Sequence, residues 1–399
     1  MPTILFTTVL ALSVLYAPQP LLPVIMSEFD VSRSSAALLT TVCFLPLSVA
    51  PLVYGYVLES VPPRRMLRVS VFLLAISQVL FFWGPTFSFL LAVRVFQGAL
   101  IPAILTALMT YVSQASGKGS VQRAMAVYVS ATILGGFLGR AFSGWVATSF
   151  GWRYSFLVLA ASLLLAFFLL GRLRDASSLN LSKPHPRVLL EVLRRPGFLR
   201  LYLAVFGFFL VFAAIMNFIP FRLTEISDDA SEFRIGLMYS GYLMGLVTSL
   251  SAVRISGWLG GEMPALRLGL GLFALSLSGM LVSSVPVLFG VMFVFCAGMF
   301  LAHATASGLL NRCAGANKGV INGLYVSFYY AGGALGSYAP GPVYRIFGWE
   351  GMIWGLFGAA LLTWLAVWKS GPTNQDPDEN QASTLRRPPR GGLRSTDES

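Results

Sequence analysis

Charge is scarce in this chain. Of its 399 residues, 11% are Asp, Glu, Lys or Arg, where an ordinary soluble domain carries about 25%. Only 16 are acidic, and none falls deep inside an apolar stretch; Glu28 and Glu59, at the ends of the first two stretches, come nearest. Proton relays in membranes usually use Asp, Glu or His, so a carboxylate relay in mid-membrane is excluded. Histidine is nearly absent too, with His185 in a polar connection and His303 in an apolar run. The three cysteines, Cys43, Cys296 and Cys313, show neither a disulfide framework nor metal-ligand spacing. No nucleophile and base pair and no phosphate-cradling glycine loop is visible. An enzyme, an ATP-driven pump, a cofactor and a metal site are therefore not expected.

Apolar length is abundant. The chain is 56% hydrophobic with mean hydropathy +0.74, and crossing ~30 Å of hydrocarbon takes about 20 mostly apolar residues. Twelve windows qualify, near 3–26, 35–58, 66–84, 86–113, 122–146, 152–171, 199–221, 235–258, 264–284, 286–311, 319–341 and 345–368. The first run, Ile4 to Met26, lacks a basic leader and a small-residue cleavage site, so it is expected to stay as a span. The expectation is an all-α membrane protein with twelve transmembrane helices in two pseudo-symmetric six-helix bundles. Residues 1–171 would form the N-terminal bundle, 172–198 a basic cytoplasmic linker, 199–368 the C-terminal bundle and 369–399 a disordered cytoplasmic tail. Val188 to Leu193 in the linker suits a short interfacial helix.

An internal repeat supports the division. Tyr128 to Trp152 recurs at Tyr325 to Trp349 without a gap, 197 residues on, with 12 of 25 positions identical. Gly135 and Gly139 in one copy and Gly332 and Gly336 in the other have the small-xxx-small spacing that lets helix backbones approach closely in lipid. Parallel half-repeats are a construction of secondary transporters.

The net charge of +12 would suggest nucleic acid in a soluble protein, but its distribution gives orientation instead. With the N-terminus in the cytoplasm, 21 Lys and Arg fall in inner loops and the tail, against 5 outside, Arg33, Arg153, Arg222, Arg234 and Arg345. Both termini are expected to be cytoplasmic, in a multi-pass protein of the plasma (bacterial inner) membrane. No nucleic-acid partner is expected.

Three local motifs carry a resemblance. The loop after the second window reads Gly55-Tyr-Val-Leu-Glu59-Ser-Val-Pro-Pro-Arg64-Arg65, the fourth window contains Arg94-Val-Phe-Gln97-Gly98, and the fifth holds a glycine run with Arg140 within it. These resemble the loop signature, the Arg-x-x-Gln-Gly motif and the antiporter glycine run of the major facilitator superfamily. Pro62 and Pro63 replace the Gly and Arg of the loop signature, and Arg140 stands where many drug antiporters have Pro. With Tyr16-Ala-Pro-Gln19-Pro20, Asn217-Phe-Ile-Pro-Phe-Arg222 and His303-Ala-x-Ala-Ser307, the chain resembles the YnfM-like branch of the drug:proton antiporter group. The resemblance implies alternating access, efflux and a cavity surrounded by the first, fourth, seventh and tenth helices. It also makes Gly55, Glu59, Arg64 and Arg65 gating-loop candidates.

Charge inside the membrane marks site candidates independently of any resemblance. A charged side chain at the bilayer centre costs ~2.5 to 3.5 kcal/mol even on a lenient scale, so it must face protein or water. Arg94, Arg140 and His303 are therefore candidates for substrate or proton handling. Arg94 has a second reading, in which it caps backbone carbonyls opened by a proline such as Pro46 or Pro102. Arg140 has Ser337 as its counterpart in the repeat, so nothing in the architecture demands a cation there. Tyr16, Gln19, Asn217, Arg222, Tyr329 and Tyr330 complete the candidate set, with Tyr239, Tyr242 and Tyr325 as further lining groups. Trp83, Trp152, Trp349 and Trp368 suit an aromatic belt at the membrane surface.

The function expected is secondary transport of a small organic solute, by proton-coupled efflux. Two arginines without a carboxylate favour an anionic or neutral polar solute over a lipophilic cation. Uptake or uniport of an organic anion or sugar is the alternative within transport, and a non-transporting receptor or scaffold is the alternative outside it. The lipid bilayer, the solute and protons are the expected partners, and the chain is expected to be monomeric.

Overall fold

The computed structural model describes residues 1–115, 121–173, 186–313 and 318–368. The expected tail and residues 174–185 of the linker lie outside the described residues, as do the side chains at Gly55 and Glu59. Among the described residues every regular element is helical. α1 (Pro2–Tyr16) runs through a 3-10 turn (Gln19–Leu21) into α2 (Leu22–Glu28), and α3 (Arg33–Ser60), α4 (Pro63–Trp83), α5 (Phe87–Ala115), α6 (Val121–Phe150) and α7 (Tyr154–Leu170) follow. After the linker come α8 (Pro186–Arg194), α9 (Pro196–Ile226), α10 (Glu232–Met238), α11 (Gly241–Trp258), α12 (Glu262–Gly279), α13 (Val285–Arg312), α14 (Lys318–Tyr338) and α15 (Pro340–Trp368).

Each of the twelve apolar windows is occupied by helix. Among the described residues nine helical segments have the length and hydropathy to cross a membrane. The windows outside those nine hold α7, α12 and α14. α7 is short at 17 residues, α12 carries Glu262 and Arg267 that lower its hydropathy, and α14 carries Asn322 and four tyrosines that dilute its own. Windows one and eight each contain two α-helices rather than one. In window one, Pro18 and Pro20 have no N–H to donate, so the helical ladder is interrupted between Tyr16 and Leu22. In window eight, the chain turns at Tyr239 and Ser240 between α10 and α11. The linker helix Val188–Leu193 is found within α8.

α1 packs on α5, α6 and α7, α3 on α5, and α4 on α5 and α7; α9 packs on α13, α14 and α15, α12 on α13 and α15, and α11 on α13. The glycines show how closely the two groups correspond. A Cβ at Gly135 or Gly139 of α6 would collide with the backbone of Val9 or Ser13 in α1. A Cβ at Gly332 or Gly336 of α14 would collide with that of Phe206 or Leu210 in α9. Both helix pairs are related by the 197-residue offset, partner for partner. In lipid, where helix association relies on packing, these contacts are what fix α6 on α1 and α14 on α9.

The repeat also ends alike. Gly151 has φ +99° and Gly348 φ +69°, the region glycine enters without a Cβ penalty, and each is followed by a tryptophan. The turn at Gly348 divides α15 into 340–347 and 349–368, and the second part is the span expected from near residue 345. Trp83 and Trp368 are exposed, as a belt requires, but Trp152 and Trp349 are buried. Their indoles donate to Glu28 Oε2 at 2.5 Å and to the Met280 carbonyl at 2.7 Å. The turn tucks each ring under its own group, where its N–H needs a protein acceptor.

Candidate functional site

The two helix groups meet through α3 and α14, α6 and α10, and α6 and α11. Among the described residues, the polar contacts that join them cluster in the half of the molecule away from Met1 and Trp368. At the far extremity Arg33 pairs with Glu225 at 2.7 Å. Thr148 on α6 donates to Glu232 Oε2 at 3.1 Å and accepts from the Phe233 amide at 3.1 Å. Gly144 and Gly236 allow α6 and α10 to touch at backbone distance, and Gly341 of α15 leaves room for the Ser34 side chain.

Deeper along the axis lies a buried hydrogen-bonded chain. Asn217 on α9 accepts from Thr40 Oγ1 at 2.7 Å and from Gln19 Nε2 at 3.4 Å. Its own amide donates to the carbonyls of Ala37 at 3.2 Å and Ser337 at 2.9 Å. Gln19 Oε1 in turn accepts from Arg140 Nε at 2.6 Å. Gln19, Arg140 and Asn217 are all withdrawn from solvent. Gln19 reaches both neighbours because it sits in the 3-10 turn of the interrupted window.

Arg140 is held without a carboxylate. Besides Gln19 it donates from Nη1 to the Gly136 carbonyl at 2.7 Å, while Nη2 is buried with no hydrogen-bond partner. Its guanidinium carbon lies 4.1 Å from the ring centre of Tyr16, 4.7 Å from Tyr239 and 4.6 Å from Tyr242. A desolvated cation on an aromatic face gains up to about 2 kcal/mol, and a hydrogen bond to a charged group about 1.5 to 3. Three rings and two such bonds exceed the ~2.5 to 3.5 kcal/mol insertion cost. No ion pair among the described residues compensates the guanidinium.

The aromatic surface continues from this box. Tyr16 meets Phe44 at 6.1 Å between ring centres, and Phe44 meets Phe209 at 5.9 Å and Tyr330 at 5.6 Å. Phe209 stacks on Tyr329, which lies 5.0 Å from the His303 ring. Tyr325 Oη is 2.7 Å from His303 Nδ1. Tyr329, Tyr330 and His303 are only half-buried, unlike Arg140.

Other sequence candidates lie apart. Arg94 is buried with Nε on the Leu39 carbonyl at 2.8 Å, Nη1 on Val14 at 3.0 Å and on Gln97 Oε1 at 2.7 Å, and Nη2 on Leu15 at 2.7 Å. The Val14 carbonyl is free because Pro18, four residues on, has no N–H. The proline behind this capping is thus Pro18, not Pro46 or Pro102. Ser143 serves the same interruption by donating to the Ala17 carbonyl at 2.8 Å. Arg222 sits at the far extremity, on Ser283 Oγ at 2.6 Å and Glu225 at 3.4 Å. At the opposite extremity Arg64 donates to the Gly171 carbonyl at 2.5 Å, and Arg65 is exposed.

Sequence reasoning did not single out Thr40, Ser143, Phe44 or Phe209. One signal was available for Asn217, since Gln19 and Asn217 stand 198 residues apart, within one residue of the repeat offset, and so face each other across the two groups.

The model of the Major Facilitator Superfamily matches residues 4–337. The chain belongs to that superfamily. Among curated relatives of this major facilitator is the inner membrane transport protein YnfM of Escherichia coli, 27% identical over 356 residues, covering 88% of this chain and 84% of the relative. An uncharacterised transporter of Buchnera aphidicola is 26% identical over 332 residues, covering 81% and 80%. Among solved structures, a bacterial homologue of the human lysosomal transporter Spinster, crystallised in an inward-facing and occupied conformation, superimposes with a TM-score of 0.73. It is 14% identical, over 92% of this chain and 93% of that one. This major facilitator thus has the all-helical membrane fold and belongs among membrane transporters.

Proposed function

We propose that this major facilitator exports a small organic solute across the bacterial inner membrane by alternating access, in exchange for protons. Residues 1–171 and 199–368 are the two bodies that rock, with both termini cytoplasmic. The observation that supports the reading is the distribution, among the described residues, of the polar contacts between the groups, which close the half away from Met1 and Trp368 around the buried Arg140. With cytoplasmic termini, as the 21 to 5 distribution of basic residues favours, the closed half faces the periplasm. The present conformer is then the inward-open one, loaded from the cytoplasm. Arg140, Gln19 and Asn217 form the site at which loading and closure meet. Arg94 holds the interrupted first helix in shape, and His303, hydrogen-bonded to Tyr325, is the proton-handling candidate on the inner side.

Everted membrane vesicles containing the overproduced protein test this, with the lumen acidified and followed by a pH-sensitive dye. Organic anions, sugars, amino acids and lipophilic cations are added in turn. Export by proton antiport predicts that one class dissipates the gradient and that Arg140→Ala abolishes the response while leaving insertion intact. A fully active Arg140→Ala protein overturns the site. The absence of any membrane-embedded carboxylate supports a second reading, uniport or uptake of an organic anion or sugar. Labelled-solute counterflow without a pH response would favour it. Saturable binding without flux would instead favour a receptor or scaffold.

A further inference from the structure

The two halves correspond closely where glycines set the packing, and several of their departures from each other meet at one place. Arg140 replaces the Ser337 of the other copy. The ladder of the first window is interrupted at Ala17 to Leu21, whereas α9, its counterpart, runs unbroken for 31 residues. Window eight turns at Tyr239, whereas α3, its counterpart, is continuous from Arg33 to Ser60. The first interruption delivers Tyr16 and Gln19 to Arg140, and the second delivers Tyr239 and Tyr242. Three independent departures from the repeat therefore converge on a single guanidinium. Resting on the transporter reading, we propose that Arg140 binds the acidic group of the solute, and that the solute is a monoanionic organic acid with a flat apolar body.

The charge on the page sets the class. No ion pair among the described residues involves Arg140, and Nη2 is buried and unpartnered. A guanidinium with one nitrogen, Nη2, left to donate suits an anionic acceptor such as a carboxylate oxygen. The other polar groups at hand are neutral, the Gln19 amide and the Tyr16 hydroxyl, the latter without a protein partner among the described residues. One positive charge with neutral donors balances one negative charge and leaves a dianion half compensated. A lipophilic cation is rejected, because the three electron-rich ring faces that would attract it already hold Arg140. The flat body is indicated by the aromatic surface that leads from Tyr16 through Phe44 and Phe209 to Tyr330, where offset or edge stacking rewards a planar partner.

Calorimetric titration of the purified protein in lipid nanodiscs with three probes of one shape tests this: benzoate, neutral benzamide and cationic benzamidine. The proposal expects saturable benzoate binding, at least tenfold weaker benzamide binding and no benzamidine binding. Arg140→Gln abolishes benzoate binding, Arg140→Lys retains part of it, and Tyr16→Phe, which removes only a hydroxyl, weakens it severalfold. Equal binding of benzamide or benzamidine, full binding by Arg140→Gln, or binding of none of the three overturns the proposal. If Arg140→Gln fails to give a monodisperse protein, Tyr16→Phe and Arg140→Lys carry the test, and unchanged benzoate binding in both overturns it. Binding in nanodiscs needs no flux. Benzoate bound but not moved in proteoliposomes would refute transport and leave the anion site standing.

Discussion

Glu28 and Glu225 sit 197 residues apart, at the offset of the repeat, yet only Glu225 takes an arginine from the other helix group. Glu28 binds Trp152 Nε1 and Arg153 Nη2, at 2.5 and 2.6 Å, both close to its own helices. Glu225 binds Tyr344 Oη at 2.7 Å within its group and Arg33 at 2.7 Å across the divide. The same carboxylate has become a staple inside one half and a clasp between halves.

Glu225→Gln is accordingly expected to loosen the closed end. A partly exposed ion pair contributes about 0 to 1 kcal/mol, so the open population should rise by up to about fivefold. In a background without the three native cysteines, the rate at which N-ethylmaleimide modifies Ala37→Cys reports that opening. Glu28→Gln should leave this rate unchanged and lower the melting temperature instead.

Asn217→Ala should act in the same direction and more strongly. It leaves Gln19, Thr40 and the carbonyls of Ala37 and Ser337 short of a partner in a buried place. Each orphaned buried group costs about 1 to 3 kcal/mol, and that cost falls on the closed conformer. Labelling of Ala37→Cys should accelerate more than tenfold. An unaltered rate would show that Asn217 does not hold the halves together.

Arg94→Lys is expected to damage stability before specificity. A lysine offers one ammonium where the guanidinium meets Leu39, Val14, Leu15 and Gln97, so at least one carbonyl of the interrupted first helix loses its donor. The melting temperature in detergent should fall by several degrees, and benzoate affinity in the protein that remains folded should change by less than threefold.

Gly139→Val and Gly336→Val should each prevent a monodisperse product, because either side chain would meet backbone atoms of the partner helix. Gly290→Ala and Gly257→Ala, which meet nothing within 4 Å, should behave as the unaltered protein. Fluorescence-detected size-exclusion chromatography of the four variants distinguishes them.

Much of the architecture was legible because membrane length and backbone satisfaction leave few options. The windows located the helices to within a few residues, and the glycine spacing located the close contacts of α6 and α14. What escaped depends on direction rather than composition. Trp152 and Trp349 read as surface aromatics until the left-handed glycines before them turn the rings inward. Arg94 and Arg140 read alike as buried cations. They differ because Pro18 exposes carbonyls on the Arg94 side of the first helix, whereas Arg140 faces tyrosines from helices far away in sequence. Span-by-span reading locates a charge along the membrane normal but not which neighbours converge on it, so the link from Arg140 to Gln19 and its ring of tyrosines was not visible.

The tyrosine box around Arg140 also has an order in time. Tyr16 and Gln19 precede Arg140 in the chain, but Tyr239 and Tyr242 follow it by about a hundred residues, and synthesis proceeds from the N-terminus. While the ribosome is still making the linker, α6 must hold a cation with only one of its three rings in place. The first half is thus born incomplete, and it finishes folding only when the eighth window emerges to cover its arginine.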